Sequence, residues 1–476
     1  MKYISKLAHI AALCILCSAN IFASGSFDKA ITKFCQSNAM RKAQVGICVI
    51  DLKSGEIVGE NDMNETITPA SVMKIVTSAT ALKTLSEAYH FQTDVNYDGY
   101  IDHNGVLHGN LIIKGGVDPT MDSRHFPDQE SFVTACINEI KRIGLTKIEG
   151  KIIIDESIAP DPAVPMQWDD ADVVEYYGAG VHAINYLDNE FSLVVDLSGR
   201  TAAVIDTIPH LSELKIVNNV TIGGKAYSPS LSRKKNSNTL YMGGNVRRQS
   251  DPIELWTTMP HPADALYNDM VETLTYEGIT VENKTIDNRG VSYPLYTHMS
   301  PALPDIIKSL LTRSDNMYAE AVLRALALND TTLATREMAV NCERRILEDW
   351  GIDTQAVTIY DGSGLSRANS ITPVFLAKVL AQMANDKAYG NLFPSLFPVA
   401  GKDGTVKKLL KGSPLQGKMA LKSGSMTGVR CYAGYYPAEH PEYAVVLMTN
   451  KFRCTYDAMK KAIETLFEGM FANKER

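Results

Sequence analysis

Thr68-Pro69-Ala70-Ser71-Val72-Met73-Lys74 decides the fold, together with the apolar residues that follow it, Ile75, Val76, Ala79, Leu82 and Leu85. The apolar spacing after Ser71 is helical, and Pro69 suits a first helical turn or the residue before it. A serine hydroxyl is a weak nucleophile until a base takes its proton. A lysine three residues along a helix lies on the same face, so Ser71 and Lys74 would point into one cleft. The helix N-terminus adds free N–H groups and a positive dipole end. Lys74 acts as a base only if burial or a nearby cation lowers its pKa.

Ser-x-x-Lys alone is weak, and this chain has it at Ser26, Ser71, Ser212 and Ser232. Only Ser71 opens a strongly periodic apolar helix with a strand pair behind it. That pair is Val45 to Leu52 and the return strand from Glu56 to Gly59, joined by a Lys53-Ser54-Gly55 turn. Two further pieces stand downstream. Ser314-Asp315-Asn316 lies between two helical stretches. Its hydroxyl could relay a proton and its amide could hold a peptide backbone, although Ser, Asp and Asn are also common helix caps. Lys422-Ser423-Gly424, followed by Ser425, lies on a strand edge. A lysine beside a hydroxyl suits a carboxylate, and the glycine lets a substrate backbone approach. Lys53-Ser54-Gly55 repeats the tripeptide but sits in a tight turn.

Outward from these motifs the chain divides. A short helix is read at Ala30 to Ala39. From about Phe91 to Gly290 short strand-like runs dominate, among them Leu111 to Ile113, Lys151 to Ile154 and Leu214 to Ile222, separated by Gly, Asp, Asn and Pro. One helical stretch stands out there, Pro262 to Tyr276. Helical periodicity returns at Leu303 to Leu328, Thr335 to Trp350 and Val374 to Met383. Met419 to Leu421, Arg430 to Tyr436 and Tyr443 to Met448 read as adjacent antiparallel strands, and a helix closes the chain at Tyr456 to Phe471. The reading is an α/β domain split in sequence, residues 24–90 plus 291–476, with a β-rich insertion at 91–290.

Composition bounds the function. The 476 residues, 45% hydrophobic and 21% charged, suit a globular protein of more than one domain. Net charge is -7 with no basic block, which argues against nucleic acid. Lys2 and Lys6, the apolar run Ile10 to Leu16, and small residues at Ala19, Ala23 and Ser24 read as a secretory signal peptide over residues 1–23. The run is short for a membrane span, so no transmembrane anchor is expected after cleavage. The six cysteines beyond it are scattered with no C-x-x-C pair, which speaks against zinc. Buried free thiols are the expectation. No G-x-S-x-G and no H-E-x-x-H is present. Gly412 to Lys418 resembles a P-loop, but Met419 stands where a magnesium-binding hydroxyl belongs.

S-x-x-K, S-D-N and a K-T-G-like triple, in this order, are shared by β-lactamases and penicillin-binding proteins. The sequence resembles the low-molecular-mass class C penicillin-binding proteins, the D-alanyl-D-alanine carboxypeptidase/endopeptidase family, over nearly the whole mature chain. The likeness extends to Gly109-Asn110-Leu111, Gly116 to Thr120, Ile154-Asp155 before Ser157, and Tyr177-Gly178-Ala179. It also takes in Asp361 to Arg367, Val399 to Thr405 and the long insert between Ser71 and Ser314. The resemblance implies a penicillin-binding/β-lactamase-like transpeptidase fold, an antiparallel sheet flanked by helices with a large β-rich insertion.

It further implies Ser71 as nucleophile, Lys74 as its base, and Ser314 with Asn316 as proton relay and substrate-positioning pair. Lys422 and Ser423 would grip the terminal carboxylate, and the backbone N–H groups of Ser71 and Ser425 would form the oxyanion hole. Ser423 departs from the family's usual threonine but keeps the hydroxyl. Asp161 or Asp169 of the insert could meet the free amine of a crosslinked peptide. The implied enzyme is an exported, periplasmic serine DD-peptidase without metal or cofactor. It acts on peptidoglycan stem peptides and is acylated by β-lactam antibiotics. Two alternatives share the motifs. A β-lactamase would add a deacylating glutamate, for which Glu337-Met338-Ala339-Val340-Asn341 has only the bare spacing. A non-catalytic wall-binding protein could use the same fold.

Overall fold

Val45, Ile47 and Val49 alternate along the strand Gln44–Asp51 with Gly46, Cys48 and Ile50, and all six are buried. Successive side chains on a strand face opposite ways, so a strand buried throughout needs cover on both faces. In the computed structural model, which describes residues 25, 27–286 and 291–472, this strand lies inside an antiparallel five-stranded sheet. The order is Ala420–Met426, Val429–Tyr436, Tyr443–Asn450, Gln44–Asp51 and Ile57–Asn61. Gln44 pairs with Asn450 and Asp51 with Tyr443, so an early strand is locked onto the last one.

The two faces are covered by different helices. Val45, Ile47 and Val49 join one core with Phe27, Ile31 and Phe34 of the helical residues 27–35, and with Ile463, Phe467 and Phe471 of the closing helix Tyr456–Phe471. Phe27 meets Phe471 edge-on with ring centroids 5.5 Å apart. On the other face, Gly46 leaves room for Pro373 and Ile67, since a Cβ there would come within 2.5 Å of both. Pro373 opens the helix Pro373–Ala384, capped by the Thr372 hydroxyl accepting from the Phe375 N–H.

The described chain forms two compact units. Among the described residues, the first comprises those up to Lys83, Ile307–Ser314 and those from Arg344 onward, the second those from Thr84 to Ile306 and from Asp315 to Glu343. The 91–290 segment read as an insertion falls within the second unit, apart from residues 287–290, which lie outside the described residues, as does the stretch read as a signal peptide. The second unit also takes in residues 84–90, 291–306 and 315–343, and so includes Asn316. It holds two three-stranded and two four-stranded sheets around its own apolar core.

Several elements differ from the sequence reading. The first helix covers residues 27–35 and ends before Ala39. The second unit has a helix that the sequence reading passed over, Phe132–Arg142. Its buried Phe132, Val133, Cys136, Ile137 and Ile140 follow helical spacing, and the Ser131 hydroxyl caps it. The run Leu303 to Leu328 is broken in two, Leu303–Arg313 and Asn316–Leu328. Ser314 has a left-handed φ of 65°, and the Asp315 carboxylate caps the second helix through the Tyr318 N–H at 3.0 Å. The capping role is therefore real, and it belongs to Asp315.

Ser71 lies in a 3₁₀ turn, Ala70–Met73, that runs into the α-helix Lys74–Leu85. In 3₁₀ geometry residues i and i+3 eclipse, which brings Ser71 and Lys74 closer than an α-helical start would. The helix is buried all round from Lys74 to Leu82. Behind the turn, Gly364 has a φ of +80°, and a Cβ on it would lie 2.0 Å from the Ala70 carbonyl oxygen.

Gly364→Ala therefore adds a backbone clash to left-handed strain. Gly428, with φ +75° and open space around it, carries the strain alone. Gly428→Ala should lose about 1 kcal/mol, and Gly364→Ala clearly more, by urea denaturation of each variant. Equal losses would contradict the close approach.

Candidate active site

Lys74 is fully buried, and a buried ammonium must find acceptors. Its Nζ donates to Ser71 Oγ at 3.1 Å and to the Ser363 carbonyl at 2.7 Å. The segment supplying that carbonyl is held by Asp361, also fully buried. The Asp361 carboxylate accepts from the backbone N–H groups of Gly364 and Ser366 and from the Asn369 amide, each at 2.7 Å. Thr77, one turn along the Ser71 helix, donates to the Gly362 carbonyl at 2.9 Å. The Asp361–Asn369 loop thus holds a carbonyl against the lysine.

A second lysine lies in the same unit. Lys422, on the edge strand Ala420–Met426, is fully buried and donates from Nζ to Ser314 Oγ at 2.8 Å and to the Ser423 carbonyl at 2.6 Å. Burial, and then the nearby charge of Lys74, holds the Lys422 ammonium well below the usual lysine range. Ser423 donates to the Thr405 hydroxyl at 2.7 Å. At Gly424 the strand presses on the Ser71 turn. A Cβ there would stand 3.1 Å from the Ser71 and Val72 nitrogens and 2.7 Å from the Pro69 oxygen. Only a glycine lets the two backbones come so near. Ser425, next along the strand, is exposed.

The first unit thus gathers Ser71, Lys74, Ser314, Lys422 and Ser423 from three distant stretches of chain. Asn316 belongs to the second unit, where it is buried and donates from Nδ2 to the Tyr177 carbonyl at 2.7 Å. Tyr177 begins the Tyr177-Gly178-Ala179 motif. Asp161 is engaged elsewhere. Its carboxylate accepts from the fully buried Arg324 at 2.8 Å and from the Arg336 backbone N–H at 3.2 Å. Asp169 caps a short turn through the Ala171 N–H. The charge of Asp161 is therefore answered by two guanidinium-bearing residues, Arg324 and Arg336. Glu337 of the E-x-x-x-N spacing is exposed in the first turn of the helix Arg336–Asp349.

Side-chain reasoning missed three partners: the Ser363 carbonyl, the Asp361 carboxylate and the Thr405 hydroxyl. All three lie in stretches already singled out, Asp361 to Arg367 and Val399 to Thr405. The described cysteines, Cys35, Cys48, Cys136, Cys342, Cys431 and Cys454, form no disulfide, and four of them are buried.

A serine bonded to a buried lysine on a helix start, beside an antiparallel sheet whose edge strand carries a second lysine, defines a serine acyl-transfer enzyme of the penicillin-binding type. The chain belongs to the D-Ala-D-Ala carboxypeptidase 3 (S13) family, whose sequence profile matches residues 27–472. That makes it a serine-type DD-carboxypeptidase among the low-molecular-mass class C penicillin-binding proteins. It is 25% identical over 432 residues to a D-alanyl-D-alanine carboxypeptidase of Actinomadura sp., covering 87% of this chain and 78% of that one. It is 26% identical over 403 residues to the D-alanyl-D-alanine carboxypeptidase DacB of Haemophilus influenzae, covering 83% and 82%. Its fold matches the crystal structure of penicillin binding protein 4 from Haemophilus influenzae with a TM-score of 0.77 at 23% identity, over 93% of this chain and 98% of that one. That protein has also been solved in complex with a β-lactam.

The depressed Lys422 pKa has a consequence for stability. The folded state disfavours the charged form, so its cost is fully present below the folded pKa. It fades as pH rises from there toward the ordinary lysine value of 10.5. Wild-type stability should therefore gain with alkaline pH in that window. Lys422→Met, which removes the charge, should flatten the gain and raise stability at neutral pH, measured by denaturant unfolding across pH. A variant with the wild-type slope would contradict the assignment.

Proposed function

We propose that Ser71 is acylated by cell-wall peptides ending in D-alanyl-D-alanine and then freed by water. The observation that carries this reading is the 3.1 Å bond from Lys74 Nζ to Ser71 Oγ, with Lys422 bonded to Ser314 in the same unit. Lys74, in its neutral form, takes the hydroxyl proton as Ser71 Oγ attacks the carbonyl of the penultimate D-alanine. The C–N bond breaks, and the departing amine of the last D-alanine receives a proton through Ser314. Water then attacks the ester by the reverse relay, which restores the serine.

The remaining roles follow from chemistry and position. The N–H groups of Ser71 and Ser425 stabilise the oxyanion, and the close packing at Gly424 supports their convergence. Lys422 supplies charge, and Ser423 a directed hydroxyl, to the terminal carboxylate. Asn316 holds the peptide backbone. A β-lactam ring presents a strained amide to the same serine, so β-lactam antibiotics acylate Ser71. The same acyl transfer on a D-alanyl crosslink would be endopeptidase cleavage. Residues 1–23 serve as an export signal cleaved near Ala23, and the enzyme works in the periplasm on peptidoglycan. Among the described residues no helix is long and apolar enough to cross a membrane. The catalytic domain is split, residues 24–90 plus 291–476, around the 91–290 insertion.

Release of D-alanine from a pentapeptide ending in D-alanyl-D-alanine tests this reading. Wild type should release it, Ser71→Ala should not, and Lys74→Ala should fall by roughly 10²–10⁴-fold in kcat, the usual worth of a positioned base. Hydrolysis retained by Ser71→Ala would overturn the nucleophile. Fast turnover of a chromogenic cephalosporin, in place of a lasting adduct, would favour a β-lactamase.

A further inference from the structure

Ser423 has no γ-methyl, so three staggered χ1 wells are open to its hydroxyl. Only one of them can face a carboxylate held beside Lys422. The bond from Ser423 Oγ to Thr405 Oγ1, 2.7 Å long, selects among them. Thr405 itself is exposed, but the turn that carries it, Gly404–Val406, is tightly held. The Gly401 N–H donates to the Val406 carbonyl at 3.1 Å, and the Val399 N–H donates to the Asp403 carboxylate at 2.6 Å. Upstream, the Ala400 N–H donates to the Met419 carbonyl and the Leu421 N–H to the Pro398 carbonyl, both at 2.9 Å, which laces the loop to the Lys422 strand. Gly404, with φ +53°, sits where a Cβ would be 2.7 Å from the Thr312 oxygen, two residues before Ser314.

We propose that Thr405 is a positioning residue that aims the Ser423 hydroxyl at the terminal carboxylate of the substrate, a role that rests on the DD-peptidase reading. A hydroxyl donates once and accepts up to twice. When a carboxylate arrives, the Thr405 hydroxyl turns to donate to Ser423 Oγ, and the Ser423 hydrogen turns to the carboxylate. No proton changes its oxygen; only the two rotors move. The chain from Thr405 through Ser423 to the anion polarises each bond along it. Lys422 gives this end of the site its charge, and the hydroxyl pair gives it direction.

Thr405→Val keeps the shape of the side chain and removes its hydroxyl. It should raise KM for the D-alanyl-D-alanine peptide, and slow acylation by benzylpenicillin, by about three- to tenfold, the worth of one hydrogen bond. It should leave kcat for the peptide nearly unchanged. Benzylpenicillin methyl ester, which has no free carboxylate, should acylate Thr405→Val and wild type equally. Thr405→Ser should match wild type. In a Ser423→Thr background, where a γ-methyl restricts χ1, Thr405→Val should lose most of its effect.

An equal loss with acid and ester would overturn the role, as would an undiminished loss beside Ser423→Thr or no loss at all. Melting temperatures of each variant control for folding, with Thr405→Ala as the second truncation if valine is not tolerated. Failure of the wild type itself to take up benzylpenicillin would overturn the DD-peptidase reading beneath the proposal.

Discussion

Two ammonium groups buried within reach of each other's charge are the constraint around which this site is built. Like charges repel most strongly where water is excluded, and each must lose hydration to be there. Lys74 answers with the Ser71 hydroxyl and the Ser363 carbonyl, Lys422 with the Ser314 hydroxyl and the Ser423 carbonyl. The unease that remains is visible in the depressed Lys422 pKa. Perturbation of this kind marks sites prepared for proton transfer.

The scaffold exists to hold that pair against its own repulsion. The Lys422 strand is zipped to its neighbour from Ala420–Tyr435 to Met426–Val429. The Ser71 helix is buried throughout its first turns. The two approach through glycines: Gly424 lets the strand lie against the serine turn, and Gly364 lets the Asp361 loop reach behind it. Fully buried Asp361 accepts hydrogen bonds from Gly364, Ser366 and Asn369, and these shape the loop that gives Lys74 a carbonyl. The charge pair and its supports come from stretches hundreds of residues apart, so the site forms only when the fold does.

Much of the fold was legible in the sequence because its elements obey strong local rules. Pro262–Tyr276 and Tyr456–Phe471 emerge with the bounds read from periodicity. Proline at the first helical position announces one, and Thr455, accepting from the Ala458 N–H, caps the other. Phe132–Arg142 escaped because its Val, Thr, Cys and Ile residues blur into the strand-like runs around it. The Ser363 contribution was illegible for a different reason: a backbone carbonyl carries no residue signature. The pairing of Asp161 with Arg324 was hidden because the two lie 163 residues apart. Sequence order cannot reveal such a pairing. The unit boundary after Ser314 was likewise hidden, since it cuts the Ser314-Asp315-Asn316 motif itself.

The central claim is that Ser71, and no other side chain, is the acylated group, activated by its bond to Lys74. Peptide mapping by mass spectrometry after brief exposure to benzylpenicillin tests it most directly. The account predicts a single stoichiometric adduct of the whole drug on the peptide containing Ser71. An adduct confined to another residue, or intact folded protein that never gains the mass, would contradict it.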